Sequence, residues 1–182
     1  MKVSREQMAE NRKRILAEAA RLFREKGFDG VSVAEVMKAA GLTHGGFYGH
    51  FASKDELIAQ TVAQCLECSH EKPQALAALV ADYLTPQHRD DAGAGCATAA
   101  LAADVSRQSP DVRLAMADGL RAQLAQIEGP CADGQTGRRQ AIGTWSAMVG
   151  ALILARAVDD PALSDEILLE TREWINDASS KV

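Results

Sequence analysis

Apolar residues recur at helical spacing along almost the whole chain. Between 8 and 26, Ile15, Ala19, Leu22 and Phe23 fall on one face at i, i+4, i+7 and i+8, and Gly27 follows as a C-cap. Ser32, with Glu35 three residues on, makes a capping box for a short helix over 33–40 that Gly41 stops. Thr43 is placed to cap a third short helix over 44–50. Ser53 is placed to cap a fourth, with Glu56 at the box position. Pro73 opens or kinks a helix that ends at 84. The stretch 85–95 holds Pro86, Asp90, Asp91, Gly93 and Gly95 and reads as a loop. A helix over 96–108 ends ahead of Pro110, which suits the first turn of the next helix, running to 128. A second loop over 129–137 precedes two long helices, 138–158 and 163–178. No strand pattern and no internal repeat occurs. The pattern predicts an all-α chain of about nine helices.

Composition narrows the class. The chain has 182 residues, 47% of them hydrophobic, which suffices for a real core in one or two domains. The longest apolar stretch, 147–155, is interrupted by Gly150 and followed by Arg156, so it is too short to span a bilayer. The charged start has no apolar region ahead of a cleavage site, so no export signal is expected and the cytoplasm is the default compartment. The four cysteines, Cys65, Cys68, Cys96 and Cys131, are then read as thiols, not as a disulfide framework.

Charge changes the picture once it is divided. The net charge of −5 argues against a polyanion partner. Yet residues 1–54 carry 10 basic and 6 acidic side chains, while residues 55–182 carry 10 basic and 19 acidic. All four phenylalanines lie between Phe23 and Phe51. A small basic head precedes a larger acidic body. The division predicted is 1–52 and 53–182.

The head contains the informative motif, VSVAEVMKAAGLTHGGFYGHFASKDEL, from Val31 to Leu57. Two short helices joined by a tight turn at Gly41–Leu42 form a helix-turn-helix, whose second helix enters the DNA major groove. Val33, Val36, Met37 and Ala40 face inward, Leu42 plugs the turn, and Phe47 and Phe51 anchor the second helix. Thr43, His44, Gly45, Tyr48 and His50 are left to face outward, where hydroxyl, imidazole and phenol groups can bond bases and phosphates. Gly45 and Gly46 permit close backbone approach and weaken the isolated helix.

The block from Arg12 to Leu57 closely resembles the TetR family of bacterial transcriptional repressors. ILAEAARLFREKGFDGVSVAEV and AAGLTHGGFYGHFASKDEL carry the likeness, and the run Phe47-Tyr48-Gly49-His50-Phe51 with Lys54 and Leu57 is its most specific part. Met37 departs from the alanine usual there, and packing against the first helix must absorb it. The resemblance implies an N-terminal three-helix DNA-binding domain and a larger helical ligand-binding and dimerisation domain. It implies that Thr43, His44, Gly45 and Tyr48 lie on the recognition helix and that Tyr48, His50 and Lys54 contact phosphates. Ser32 would cap its helix beside a phosphate. Arg12, Lys2 and Arg5 would reach the backbone or a groove, the alternative for the basic run at 12–14 being plain solvated charge. Operator DNA, a second copy of the chain and an unknown small-molecule effector are the implied partners, with no membrane and no cofactor.

The last two helices are the expected dimer seam. The candidates are Ile142, Ala147, Gly150, Ala151, Leu154, Leu163, Ile167, Thr171 and Trp174, with the alternative that both helices simply fill one subunit's core. The middle helices would enclose the effector, with candidates Leu66, Leu79, Tyr83, Cys96, Leu101, Met116, Leu120, Trp145 and Met148, each also readable as plain core. Cys96 follows Gly93-Ala94-Gly95 where a helix begins, and a helix N-terminus favours thiolate. This Gly-Cys junction also resembles a TetR-like subgroup, some of whose members sense electrophiles or oxidants. A buried small residue is the alternative. Cys65-x-x-Cys68 with His70 supplies only part of a tetrahedral set, so no metal is expected. No phosphate loop, nucleophile–base pair or paired catalytic carboxylates occur, so no enzyme is expected. The CxxC lacks a preceding strand, unlike a thioredoxin-type site.

Overall fold

The computed structural model describes residues 4–67, 75–128 and 134–179. Nine α-helices and one 3-10 helix form the described part, with no strand among the described residues. The all-α expectation holds. Helix α1 (Arg5–Lys26) is capped by the Ser4 hydroxyl, which accepts from the Gln7 amide. It stops at Gly27, whose φ of 73° is the left-handed geometry that a Cβ resists. Helix α2 (Val33–Ala39) carries the reciprocal Ser32–Glu35 capping box. A 3-10 segment (His44–Gly49) follows, then α3 (Lys54–Glu67) and α4 (Leu76–Tyr83). The chain continues through α5 (Pro86–Asp90), α6 (Ala97–Val105), α7 (Pro110–Glu128), α8 (Gly134–Ala157) and α9 (Pro161–Ser179).

Four departures from the expected elements have local causes. The second helix of the motif is 3-10, not α. Three glycines in six residues oppose a regular helix, and the Gly46 amide bonds the Thr43 carbonyl at 3.0 Å in i→i+3 fashion. That amide is the one an N-cap side chain would take, so the expected Thr43 side-chain cap is absent. The expected loop 85–95 contains α5. Thr85 accepts from the His88 amide at 3.1 Å, and Pro86 occupies the first helical position. Helix α8 begins at Gly134, not 138, carrying Gly137 inside it. Helix α9 begins at Pro161, where the Asp160 carboxylate accepts from the amides of Ala162 and Leu163. The expectations involving Lys2, Cys68, His70, Pro73 and Cys131 fall outside the described residues.

Two apolar clusters organise the packing. The first joins Ile15, Phe23, Phe28, Val36, Met37, Phe47 and Phe51 of the head to Leu57, Val62 and Leu66 of α3. It continues into Leu101 and Val105 of α6 and Val112 and Met116 of α7. The second joins Val80, Tyr83 and Leu84 to Trp145, Met148 and Leu152 of α8 and to Leu168 and Ile175 of α9. Helix α3 packs along α7, and α8 packs against both α7 and α9. Helices α3 and α7 approach closely at Gly119, where a Cβ would fall 2.4 Å from Leu66 Cβ. No helix of the described residues is long and apolar enough to cross a membrane.

Candidate nucleic-acid interface

Gly41 makes the turn, with a φ of 69°. The Leu42 amide returns to the Met37 carbonyl at 2.9 Å, which locks the entry to the 3-10 segment. Phe47 and Phe51 then enter the core as a stacked pair, with centroids 5.7 Å apart. Tyr48 lies edge-on to Phe47 and projects outward, 71% exposed. Thr43, His44 and Gly45 are exposed beside it. A Cβ on Gly45 would meet nothing within 4 Å, so the fold itself does not demand glycine there. Met37 is fully buried, and its Cε would lie 3.7 Å from a Cβ on Gly46. That is ordinary van der Waals contact, so Met37 fits without requiring a glycine at 46.

The basic residues behave differently from the expectation. Arg12 donates to the His50 carbonyl and to Gln60 Oε1, sits 4.2 Å above the Phe51 ring, and lies 3.7 Å from Glu56 Oε1. It is a clamp from α1 onto the end of the 3-10 segment and onto α3, which neither sequence reading foresaw. Lys54 Nζ donates to the Phe28 carbonyl at 2.6 Å, so its ammonium is held within the head. His50 is half-buried, and burial together with the Arg12 charge holds its imidazole below the ordinary pKa. The Ser32 hydroxyl accepts from the Glu35 amide and donates to the Glu35 carboxylate. The Ser32 amide, donating to the Glu35 carboxylate at 2.8 Å, and then the Ser32 hydroxyl hold that carboxyl below the usual range, assisted by Lys26. Arg5 and Lys13 are exposed, and exposed Arg14 bonds Asn11 Oδ1 at 3.1 Å.

The pocket candidates divide between the clusters. Leu66, Leu101 and Met116 belong to the first, while Leu79, Tyr83, Cys96, Trp145 and Met148 belong to or pack on the second. Leu120 touches both. A cleft of about 440 Å³ opens beside the second cluster, lined by Leu79, Asp82, Tyr83, Thr85, Gln87, His88, Asp91, Ala94 and Gly95. Only Leu79 and Tyr83 were expected there.

His88 is the residue that sequence reasoning missed, because α5 read as a loop. The Thr85-Pro86 pair, an N-cap followed by a first-turn proline, was the available signal. His88 Nε2 accepts from the Cys96 amide at 3.0 Å, so its proton resides on Nδ1, which donates to the Tyr83 carbonyl at 2.7 Å. Burial depresses the His88 pKa; Arg156 adds to this, while the Tyr83 carbonyl and Asp91 oppose it. Cys96 is the N-cap of α6, with its sulfur 3.5 Å from the Ala99 amide. Burial pushes the Tyr83 hydroxyl far up, and the adjacent Cys96 thiol adds to this. Arg156 donates to the carbonyls of Arg89 and His88, and burial lowers its pKa.

The expected seam is partly on the surface. Ile142, Leu154, Leu163 and Trp174 are exposed, and Ala147, Gly150, Ile167 and Thr171 are half-buried. Ala151 is corrected. At 4% exposure it belongs to the second core, because its helix phase follows Met148, Leu152 and Ala155 inward.

Residues 15–61 match the family model for bacterial regulatory proteins of the tetR family. Over this segment the chain is of the TetR family. Among curated TetR-family relatives, it is 39% identical over 57 residues to the HTH-type transcriptional regulator AcrR of Shigella flexneri. It is 35% identical over 81 residues to the repressor AcnR of Corynebacterium jeikeium. These matches cover 31% and 44% of this chain but only 26% and 39% of those relatives. The repressor NemR of Escherichia coli is 26% identical over 138 residues, 69% of each chain. A crystal structure of the reduced form of E. coli NemR superposes with a TM-score of 0.76 at 24% identity, covering 92% of this chain and 96% of that one. A TetR-family regulator from Agrobacterium tumefaciens superposes at 0.74 with 21% identity, covering 92% and 98%. At these identities the structural likeness establishes the TetR fold.

Proposed function

We propose that this chain is a homodimeric transcriptional repressor that binds a palindromic operator and leaves it when a small molecule binds the body. Residues 1–52 are then the DNA-binding head, and residues 53–182 hold the effector and the dimer seam. The observation that carries the reading is the outward row Thr43, His44, Gly45 and Tyr48, mounted on the buried Phe47–Phe51 pair. Curated relatives of the head are described as HTH-type transcriptional regulators and repressors. The row supplies base and phosphate contacts, His50 and Ser32 flank it, and Gly45 admits the DNA backbone closely. Arg12 and Lys54 act by holding the row in place, their charges adding to the field of the basic head. Two heads on one dimer read two half-sites, with Ile142, Leu154, Leu163 and Trp174 covered by the second copy. The protein works without a cofactor or catalytic step, in the cytoplasm with its operator. The experiment is a salt series of operator affinity with wild type and Tyr48→Ala. Log affinity should fall linearly with log salt through counterion release, and Tyr48→Ala should weaken binding. Salt-insensitive binding, or an unaffected Tyr48→Ala, sinks the reading.

Cys96 supports a second reading within the same scaffold, as a thiol sensor of oxidants or electrophiles. Its sulfur sits at the N-terminus of α6. The similar structure of E. coli NemR is of that protein's reduced form. N-ethylmaleimide should release wild-type protein from operator DNA and leave Cys96→Ser bound. Equal release of both proteins excludes Cys96.

A further inference from the structure

Among the described residues, five buried side-chain polar atoms have no hydrogen-bond partner: Gln64 Oε1, Tyr83 Oη, Thr98 Oγ1, Gln123 Oε1 and Trp145 Nε1. They lie one each on α3, α4, α6, α7 and α8, and none lies in the head. Interiors normally satisfy such groups, so two of them side by side point to a molecule that completes them. Tyr83 and Trp145 form the most defined pair. Their rings are 5.4 Å apart at 64°, and the residues are only 7% and 5% exposed. The indole N–H can only donate, and the phenol is a strong donor. Their neighbours Val80, Leu84, Met148 and Leu152 offer no acceptor, and the one polar side chain beside the Tyr83 hydroxyl is the Cys96 thiol, a weak acceptor. His88 lies edge-on to Tyr83 at 4.5 Å, but both of its ring nitrogens are already bonded to main chain.

We propose that the Tyr83 hydroxyl and the Trp145 indole N–H are the polar recognition pair for an uncharged carbonyl compound with an apolar body. The proposal rests on the reading of the body as an effector sensor and names the ligand's chemistry. Two donors in an apolar wall call for acceptor oxygens. Charge disfavours an acid, and donor count disfavours an ammonium. The cleft that Tyr83 helps to line presents the carboxylates of Asp82 and Asp91. The nearby cation, Arg156, directs its guanidinium to the carbonyls of His88 and Arg89. An organic acid would therefore meet two carboxylates, against one Arg156 charge whose hydrogen bonds are spent on main chain. An ammonium would bring further donors to a pair made of donors. The cleft's volume of about 440 Å³ suits a molecule of one or two rings.

The test is calorimetric and thermal-shift binding to the full chain without DNA. The probes are acetophenone and 2-acetonaphthone, against benzoate, 2-naphthoate and benzylamine. The ketones should raise the melting temperature and bind, while the acids and the amine should do neither. Tyr83→Phe, which keeps the ring, should weaken ketone binding about tenfold, the worth of one hydrogen bond to a buried partner. Trp145→Phe, checked for native helicity, should weaken it similarly. The proposal is overturned if neither ketone binds, if 2-naphthoate binds as well as 2-acetonaphthone, or if Tyr83→Phe binds unchanged. Because no DNA is present, failure here is distinct from failure to bind an operator.

Discussion

Phe47 and Phe51 in the head and Tyr83 and Trp145 in the body are all nearly fully buried, but only the second pair carries polar atoms inward. The first pair stacks as plain hydrocarbon, and the polar groups around it are matched: Ser32 with Glu35, Lys54 with Phe28, Arg12 with His50 and Gln60. The second pair leaves a hydroxyl and an indole N–H unmatched. The head is thus complete as a folded object, and its remaining hydrogen-bonding capacity faces outward through Tyr48 and His44. The body keeps unused capacity inside. On the proposed function, a reading head must present fixed geometry to DNA, whereas a sensor must gain something when its ligand arrives.

The comparison breaks most visibly in the head. Phe51→Ala removes a core ring and the face on which Arg12 rests. It should cost about 3–5 kcal/mol, the usual range for such truncations, and abolish operator binding. Denaturant unfolding followed by circular dichroism checks the first, and gel shift the second. A loss below about 1 kcal/mol would show that the head is not the tightly completed unit described.

Next in size is Arg12→Ala, expected to lower stability by about 1–2 kcal/mol through lost charge-assisted bonds. The decisive readout is the salt slope of DNA affinity. A clamp leaves the slope unchanged, whereas a phosphate contact lowers it by about one. Gly119→Ala tests the link between the regions. Its Cβ would meet Leu66 Cβ at 2.4 Å, so α3 and α7 must part, at a cost of about 1–3 kcal/mol.

Acid should act on both regions with one sign. Burial lowers the folded-state pKa of His88 and of His50. The unfolded chain therefore takes up these protons first, and stability falls as pH drops below about 6.5. Protonating His88 at Nε2 also removes the acceptor of the Cys96 amide. His88→Gln should flatten the decline of unfolding free energy between neutral and mildly acidic pH more than His50→Gln does. Equal flattening would erase the distinction between the two environments.

Much of this division was legible in the chain. The Gly27 stop, the Ser32–Glu35 box and the Pro110 start depend on neighbouring residues, and each formed as read. Ser53 accepts from the Glu56 amide at 3.1 Å as its box position requires, although the Glu56 carboxylate accepts from Ala52. What failed to read was non-local or a contest between local signals. Three glycines against one N-cap threonine turned an α-helix into a 3-10 segment, and two glycines with two aspartates hid α5 behind a loop-like composition. The Arg12 clamp joins residues 38 and 48 positions apart, so no spacing rule reveals it. Ala151 shares its small size with seam residues and differs only in helix phase. In the candidate interface the outward row followed from the two phenylalanines, which fix the inward face. The unmatched polar atoms of the body had no sequence signature, because an unpaired hydroxyl and a paired one are the same residue.

Two threonines offer the finest test of that last point. Thr61, on α3 next to the head in sequence, is fully buried, and its hydroxyl donates to the Leu57 carbonyl at 2.7 Å. Thr98, on α6, is 5% exposed, and its hydroxyl has no partner. Both sit in helices, so replacement by valine changes propensity little and shape hardly at all. Thr61→Val loses a made bond and should cost about 1 kcal/mol. Thr98→Val removes a hydroxyl already desolvated without return, so stability should hold or rise by up to about 1 kcal/mol. The same substitution thus takes opposite signs at the two positions, measured by the midpoint of urea unfolding at constant slope. Equal losses at both positions would mean that the Thr98 hydroxyl is satisfied by buried water, and the contrast between a completed head and an incomplete body would then rest on Tyr83 and Trp145 alone.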